Sequence, residues 1–182
     1  MNHPLDISMN KSFAAIVGFT QEELETNCAP YIASLCKEYD MSNTQMIAHI
    51  KGWYNGFSWD GQTRLYSPAS VLTLFKQKAF TNYWFSNSTP SFLVNIIKKR
   101  KQLPDELEGL VVSNLTGGSM NYQKMSLYPL LFHTGYLTIE KVIRDGLEIE
   151  YQLNFPNREV RQSFHTFIKD KQIDGKTEIL QA

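Results

Sequence analysis

Cysteine is scarce: the 182 residues hold two, Cys28 and Cys36. Eight apart on a helix, they would share a face yet stand about 12 Å apart along it, beyond disulfide reach. That spacing excludes a disulfide scaffold and fits buried thiols in a reducing compartment. An excess of charge of one sign is missing too. Lys and Arg total 18, as do Asp and Glu, so no bulk field draws the chain to nucleic acid or anionic lipid, and any basic patch must be local. No apolar run approaches the ~20 residues of a membrane span, and the first residues are too polar for a signal peptide. Without export, Asn87-Ser88-Thr89 and Asn114-Leu115-Thr116 are polar turns rather than glycosylation sites, and the expected location is the cytoplasm.

Catalytic patterns are equally sparse. A phosphate loop needs glycines so that backbone N–H groups can wrap phosphate, plus a Lys and a Ser or Thr. The nearest stretch, Asp170 to Thr177, has Asp170 where the first glycine belongs and no strand before it. Pro104-Asp105 and Asp174-Gly175-Lys176 supply the letters of a PD-(D/E)XK nuclease, but they lie far apart and on no paired strands. His3, His49, His133 and His165 are scattered, with no pair at the four-residue spacing of a zinc helix. The expectation is a chain without an enzyme site, metal or cofactor of its own.

What is present is pattern. From Leu127 to Ile168 the residues spell helix, strand, turn, strand, helix. Leu127, Leu130 and Leu131 recur at helical spacing, Pro129 suits a first turn, and Gly135 supplies the stop. Arg144-Asp145-Gly146 reads as a hairpin turn. The return strand alternates, with Leu147, Ile149, Tyr151, Leu153 and Phe155 expected on a buried face. Asn157 can cap a last helix whose Val160, Phe164, Phe167 and Ile168 share a stripe. Such a unit is winged-helix-like, with a two-stranded wing.

Upstream, Thr20 with Glu23 and Ser42 with Gln45 are capping boxes, each behind a hydrophobic staple residue, Phe19 or Met41. The first helix should turn Leu24, Cys28, Tyr31, Ile32, Leu35 and Tyr39 inward and kink or break at Pro30. The second runs through Ile47, Ile50 and Tyr54 to Asn55-Gly56. A short hairpin or structured loop around Asp60-Gly61 follows. Ser67-Pro68 and Thr89-Pro90 start two more helices in cap-then-proline order, the first with Val71, Leu72, Leu74 and Phe75 on a broad apolar face. Lys98-Lys99-Arg100-Lys101 suits a helix C-terminus through the dipole alone. The expected class is mainly α (α+β): a preceding remnant or extension over 1–18, a helical lid-like domain over 19–112, a winged-helix-like unit over 113–168, and a polar tail or linker over 169–182.

Several stretches together resemble one family. They are Ile16 to Thr20 with Glu22-Glu23-Leu24, Trp53 to Phe57, Tyr66-Ser67-Pro68 with Ser70-Val71-Leu72, and Tyr83-Trp84-Phe85. Ser88 to Leu93, Thr134 to Ile139 and Pro156 to Arg161 complete the set. In order and spacing, from about Asp6 to Ile168, these are similar to the bacterial AAA-ATPase-like proteins that join a P-loop ATPase region to a C-terminal PD-(D/E)XK nuclease-like domain. The resemblance implies the helical lid and winged-helix part that follows the nucleotide-binding core, with ATP and magnesium held only by a core outside this chain. It also makes Ser88, Thr89 and Pro90 nucleotide-proximal candidates, because the family's Thr-Gly-Thr-Pro turn opens a helix there. Ser88 replaces the expected glycine, which weighs against direct nucleotide contact.

Two functions follow as expectations. The first is a non-catalytic regulatory module that docks on an ATPase core or partner protein. The alternative is a winged-helix DNA binder using Arg158 and Arg161 in a groove and Lys98, Lys99 and Arg100 on the backbone. Glu148 and Glu150 on the wing would face phosphate, which favours the protein partner.

Overall fold

The computed structural model describes Ile7 and residues 9–84, 107–115 and 127–179, with backbone only at residue 168 and over 170–179. Six α-helices are seen among the described residues. They are α1 (Gln21–Asn27), α2 (Ala29–Tyr39), α3 (Asn43–Tyr54), α4 (Pro68–Gln77), α5 (Leu127–His133) and α6 (Arg158–Ile179). Strands β1 (Asn55–Phe57) and β2 (Leu65–Tyr66) pair antiparallel, while β3 (Leu110–Val112), β4 (Thr138–Asp145) and β5 (Glu148–Asn154) form a second antiparallel sheet in the order β3-β5-β4. The class is mixed α+β.

The helix starts follow from local chemistry. Thr20 Oγ1 accepts the Glu23 N–H at 3.2 Å while the Glu23 carboxylate accepts the Thr20 N–H at 2.8 Å. Ser42 and Gln45 repeat the exchange at 3.3 and 3.0 Å, and Ser67 caps α4 with Pro68 as its first residue. Each box satisfies donors that a helix end otherwise leaves orphaned. Pro30, which removes an N–H from the ladder, falls in the first turn of α2, and the chain breaks at Cys28 as the sequence implies.

Two hydrophobic clusters result. Leu24, Ile32, Leu35, Met46, Ile50, Tyr54, Tyr66, Val71 and Leu74 build the first from α1 to α4 and β2. The second joins α5, the larger sheet and α6 through Leu131, Phe132, Ile139, Leu153, Phe155, Val160 and Phe164. Full burial of a side chain such as Phe132 or Phe164 stabilises by roughly 1.5–3 kcal/mol.

Four expectations change. The sheet has three strands instead of two, because β3, from the stretch that carried no clear pattern, pairs with β5 (Leu110 with Leu153, Val112 with Tyr151). The hairpin turn is Gly146-Leu147, one residue later than expected: Asp145 still pairs with Glu148, and Gly146 takes the positive φ of 58° that a two-residue turn with leading glycine requires. Leu147 is therefore in the turn and fully exposed, and Ile149 is exposed as well. Tyr31 and Leu72, expected inward, are more than half exposed, Tyr31 stacking on Phe75 at 5.4 Å. Finally α6 runs on to Ile179, so residues 169–179, expected as part of a polar tail or linker, are helical.

Candidate functional site

The two clusters meet along a seam built largely from backbone. Gly56, at φ 130°, lies against Pro156 so closely that a Cβ there would stand 1.8 Å from the Pro156 carbonyl oxygen. Thr138 Oγ1 accepts the Ser58 N–H at 2.7 Å and offers its proton to the carbonyls of Ser58 (3.1 Å) or Gly56 (3.2 Å). Arg64 spans the seam and donates to the carbonyls of Ile139 (2.8 Å) and Glu140 (2.7 Å). Those carbonyls are freed because the β4–β5 register slips between Ile139 and Lys141. A five-donor guanidinium matches two adjacent carbonyls where an ammonium would not.

Glu159 makes the most buried tie. Placed in the first turn of α6 with no exposure, its Oε1 accepts the N–H groups of Tyr83 at 2.7 Å and Trp84 at 2.8 Å. Burial pushes its carboxyl above the usual range, against the N–H of Trp84, the Ser70 hydroxyl and the N–H of Tyr83, which favour the charged form. Tyr54 lies nearby. Its phenol donates to the Thr81 carbonyl at 3.0 Å, and burial pushes that phenol well up. Tyr66 and Tyr136, buried on either side of the seam, are pushed up to about 12 for the same reason. These phenols keep their protons near neutral pH.

Five of the sequence stretches quoted above therefore converge here: Trp53 to Phe57, Tyr66 to Pro68, Tyr83-Trp84, Thr134 to Ile139 and Pro156 to Arg161. Between them opens a cleft of about 230 Å³ lined by Phe57, Trp59, Tyr66, Trp84, His133 and Gly135. Asp60, next in sequence to Trp59 of that lining, is held below the usual carboxylate range. Burial alone would raise it, but the N–H groups of Gln62 and Thr63 and the hydroxyls of Thr63 and Ser58 outweigh that.

The sequence-selected residues separate. Arg158 and Arg161 both stand on the first turn of α6. The Arg158 guanidinium sits 4.7 Å from the centre of the Trp53 ring, and Arg161 forks onto Glu108 through Nε (2.8 Å) and Nη2 (2.9 Å). Each cation already has a partner within the fold. Ser88, Thr89, Pro90, Lys98, Lys99 and Arg100 lie outside the described residues, as do His3 and Asp105. His49 packs edge-on to Phe80, and His133 Nε2 lies 3.1 Å from the Leu115 carbonyl. Among the described residues no three His, Cys, Asp or Glu gather as metal ligands.

Sequence reasoning gave Glu159 and Thr138 no role beyond membership of the family-like stretches, and gave Arg64 none. Glu159 looks like any acid in a first helical turn, and its one signal is Ser163, a buried polar residue four positions on along the same face. Arg64 carries no signal, since its partners are backbone carbonyls 75 and 76 residues away.

A curated protein of Azotobacter chroococcum mcd 1, named an uncharacterized protein in the vnfD 5' region, is 32% identical over 165 residues, which is 91% of this chain and 30% of that protein. The chain thus spans less than a third of the relative's length. No protein-family model matches it. No solved structure matches it either.

Proposed function

We propose that this chain is a non-catalytic regulatory and interaction module of an AAA-ATPase-like protein, acting in the cytoplasm. In this reading the first cluster is a helical lid, and α5, the three-stranded sheet and α6 form a winged-helix-like unit that docks on an ATPase core. The observation that carries it is the wing. Ile149 lies on the same strand face as Tyr151 and buried Leu153, and Arg144 is its partner on β4. The apolar alternation of β5 runs past the body it packs on, ending in an exposed Ile149 and a bare Leu147 at the turn. Leu147 and Ile149 together offer that tip as an apolar contact for another protein surface. That a relative contains this segment within a much longer chain supports a partner on the same polypeptide. No known protein's activity is carried over with it.

The alternative, a winged-helix DNA binder, finds little net positive charge at the start of α6 among the described residues: Arg161 is paired with Glu108, which leaves Arg158, its face on Trp53, as the one guanidinium there without a carboxylate partner. Exposed Asp145, Glu148 and Glu150 add negative charge to the wing. Calorimetric titration with ATP and magnesium tests the first reading, which expects no turnover by this chain; tight binding followed by hydrolysis would remove it. A gel-shift salt series tests the second. DNA binding requires affinity that falls steeply with salt and is blunted when Arg158 and Arg161 become Ala, whereas a flat response rules it out.

A further inference from the structure

A groove of about 610 Å³ runs between the start of α6 and the end of β5, bounded by Glu108, Phe155, Asn157, Arg158, Arg161 and His165 among others. Its size is that of a small-molecule site. The docking reading uses none of these residues.

Asn157 is 9% exposed and divides its amide between two tasks. Oδ1 accepts the Val160 N–H at 3.0 Å and caps α6, while Nδ2, also buried, has no hydrogen-bond partner. His165 Nε2 is buried without a hydrogen bond as well, 3.9 Å from the Glu108 carboxylate. A buried donor left unsatisfied is costly, so the Asn157 amide points to an acceptor arriving from outside; Glu108 Oε1, buried without a hydrogen bond on the same groove, is 2.8 Å from Arg161 Nε and 3.9 Å from His165 Nε2. Two guanidinium groups adjoin them. Arg161 gives one Nη2 proton to Glu108, holds Nε 2.8 Å from the other oxygen of that carboxylate, and keeps Nη1. Arg158 gives its face to Trp53, a contact that leaves the N–H edge available. The N-terminus of α6, a helix of 22 residues, adds partial positive charge at the same place.

We propose that this groove binds the phosphoryl group of a small phosphorylated molecule. Donors from Asn157, Arg158 and Arg161, with the His165 ring beside them, border one cavity from several directions, which suits a tetrahedral group with three or more acceptor oxygens better than the two coplanar oxygens of a carboxylate. The groove is larger than the phosphoryl group alone, and Phe155 gives the rest of the ligand an apolar wall. Among the described lining residues the fixed cations are Arg158 and Arg161, and Glu108 offsets one of them. That supports a single phosphoryl group and not the row of phosphates a nucleic acid presents.

A two-dimensional amide NMR titration of the full chain with inorganic phosphate, phenyl phosphate and acetate tests this. Saturable shifts are expected at the Asn157 side-chain amide, the 158–162 backbone and His165, with phenyl phosphate tighter than phosphate and acetate weakest. Asn157→Asp keeps the oxygen that caps α6 but turns the free donor into a carboxylate. Arg158→Gln changes an exposed residue, so that variant stays folded. Each should weaken phosphate binding by about tenfold or more. No saturation, acetate as tight as phosphate, or unchanged affinity in Arg158→Gln would overturn the proposal and leave the docking reading untouched.

Discussion

Gly56 is where one atom decides whether the seam closes. Its φ of 130° is open to glycine, and a Cβ would stand 1.8 Å from the Pro156 carbonyl oxygen, which belongs to backbone and cannot swing aside. Gly56→Ala should destabilise the fold by about 3 kcal/mol or more, read as a lowered urea midpoint; a loss of a few tenths would mean that the two segments do not touch. Glu159 gives a prediction with a sign. Its native carboxyl holds a proton more tightly than the unfolded chain does, mainly through burial. The stability it contributes is therefore complete below the unfolded value near 4.5 and is lost as pH rises through the raised native value. Urea midpoints across that interval should show wild type losing ground to Glu159→Gln as pH increases. A gap that moves the other way would contradict the burial assigned to this carboxylate.

Among the elements, the helix starts are the most local features and were the most legible. Thr20→Ala and Ser42→Ala should each cost about 1 kcal/mol, nearly additively since the caps share no partner, and denaturant melts of the single and double variants check both statements. The break at Pro30, the cap at Asn157 and the order helix, hairpin, helix were readable for the same reason: each is fixed within a few residues. Strand β3 was not. Three residues, Leu110 to Val112, carry too short an alternation to declare a strand, and they become one only through pairing with β5, about 40 positions on. The hairpin turn was misplaced by one because Asp-Gly and Gly-Leu are both workable turns, and strand register chose between them. Of the candidate site, Arg158 and Arg161 were visible as exposed cations, but their partners Trp53 and Glu108 were not. The buried ties through Arg64, Thr138 and Glu159 depend on contacts 75 to 82 residues apart, which no local pattern encodes.

For the whole molecule, the seam is built so that the helical cluster and the sheet move together: Arg64, Thr138 and Glu159 cross it, and α6 packs on α3 through Arg158 and Trp53. The β4–β5 hairpin, fixed to that body, holds its exposed apolar tip at a set angle, as the proposed docking would require. The tip itself contributes little to the fold. Leu147→Lys should leave the urea midpoint within about 0.5 kcal/mol of wild type, because an exposed turn residue loses no packing. The decisive measurement is calorimetric titration of this chain, wild type and the Leu147→Lys, Ile149→Lys double variant, into the portion of the Azotobacter relative outside the 165 matched residues. A docking module predicts saturable binding by wild type, weakened about tenfold or more in the variant. No binding by wild type, or equal binding by both, would contradict it.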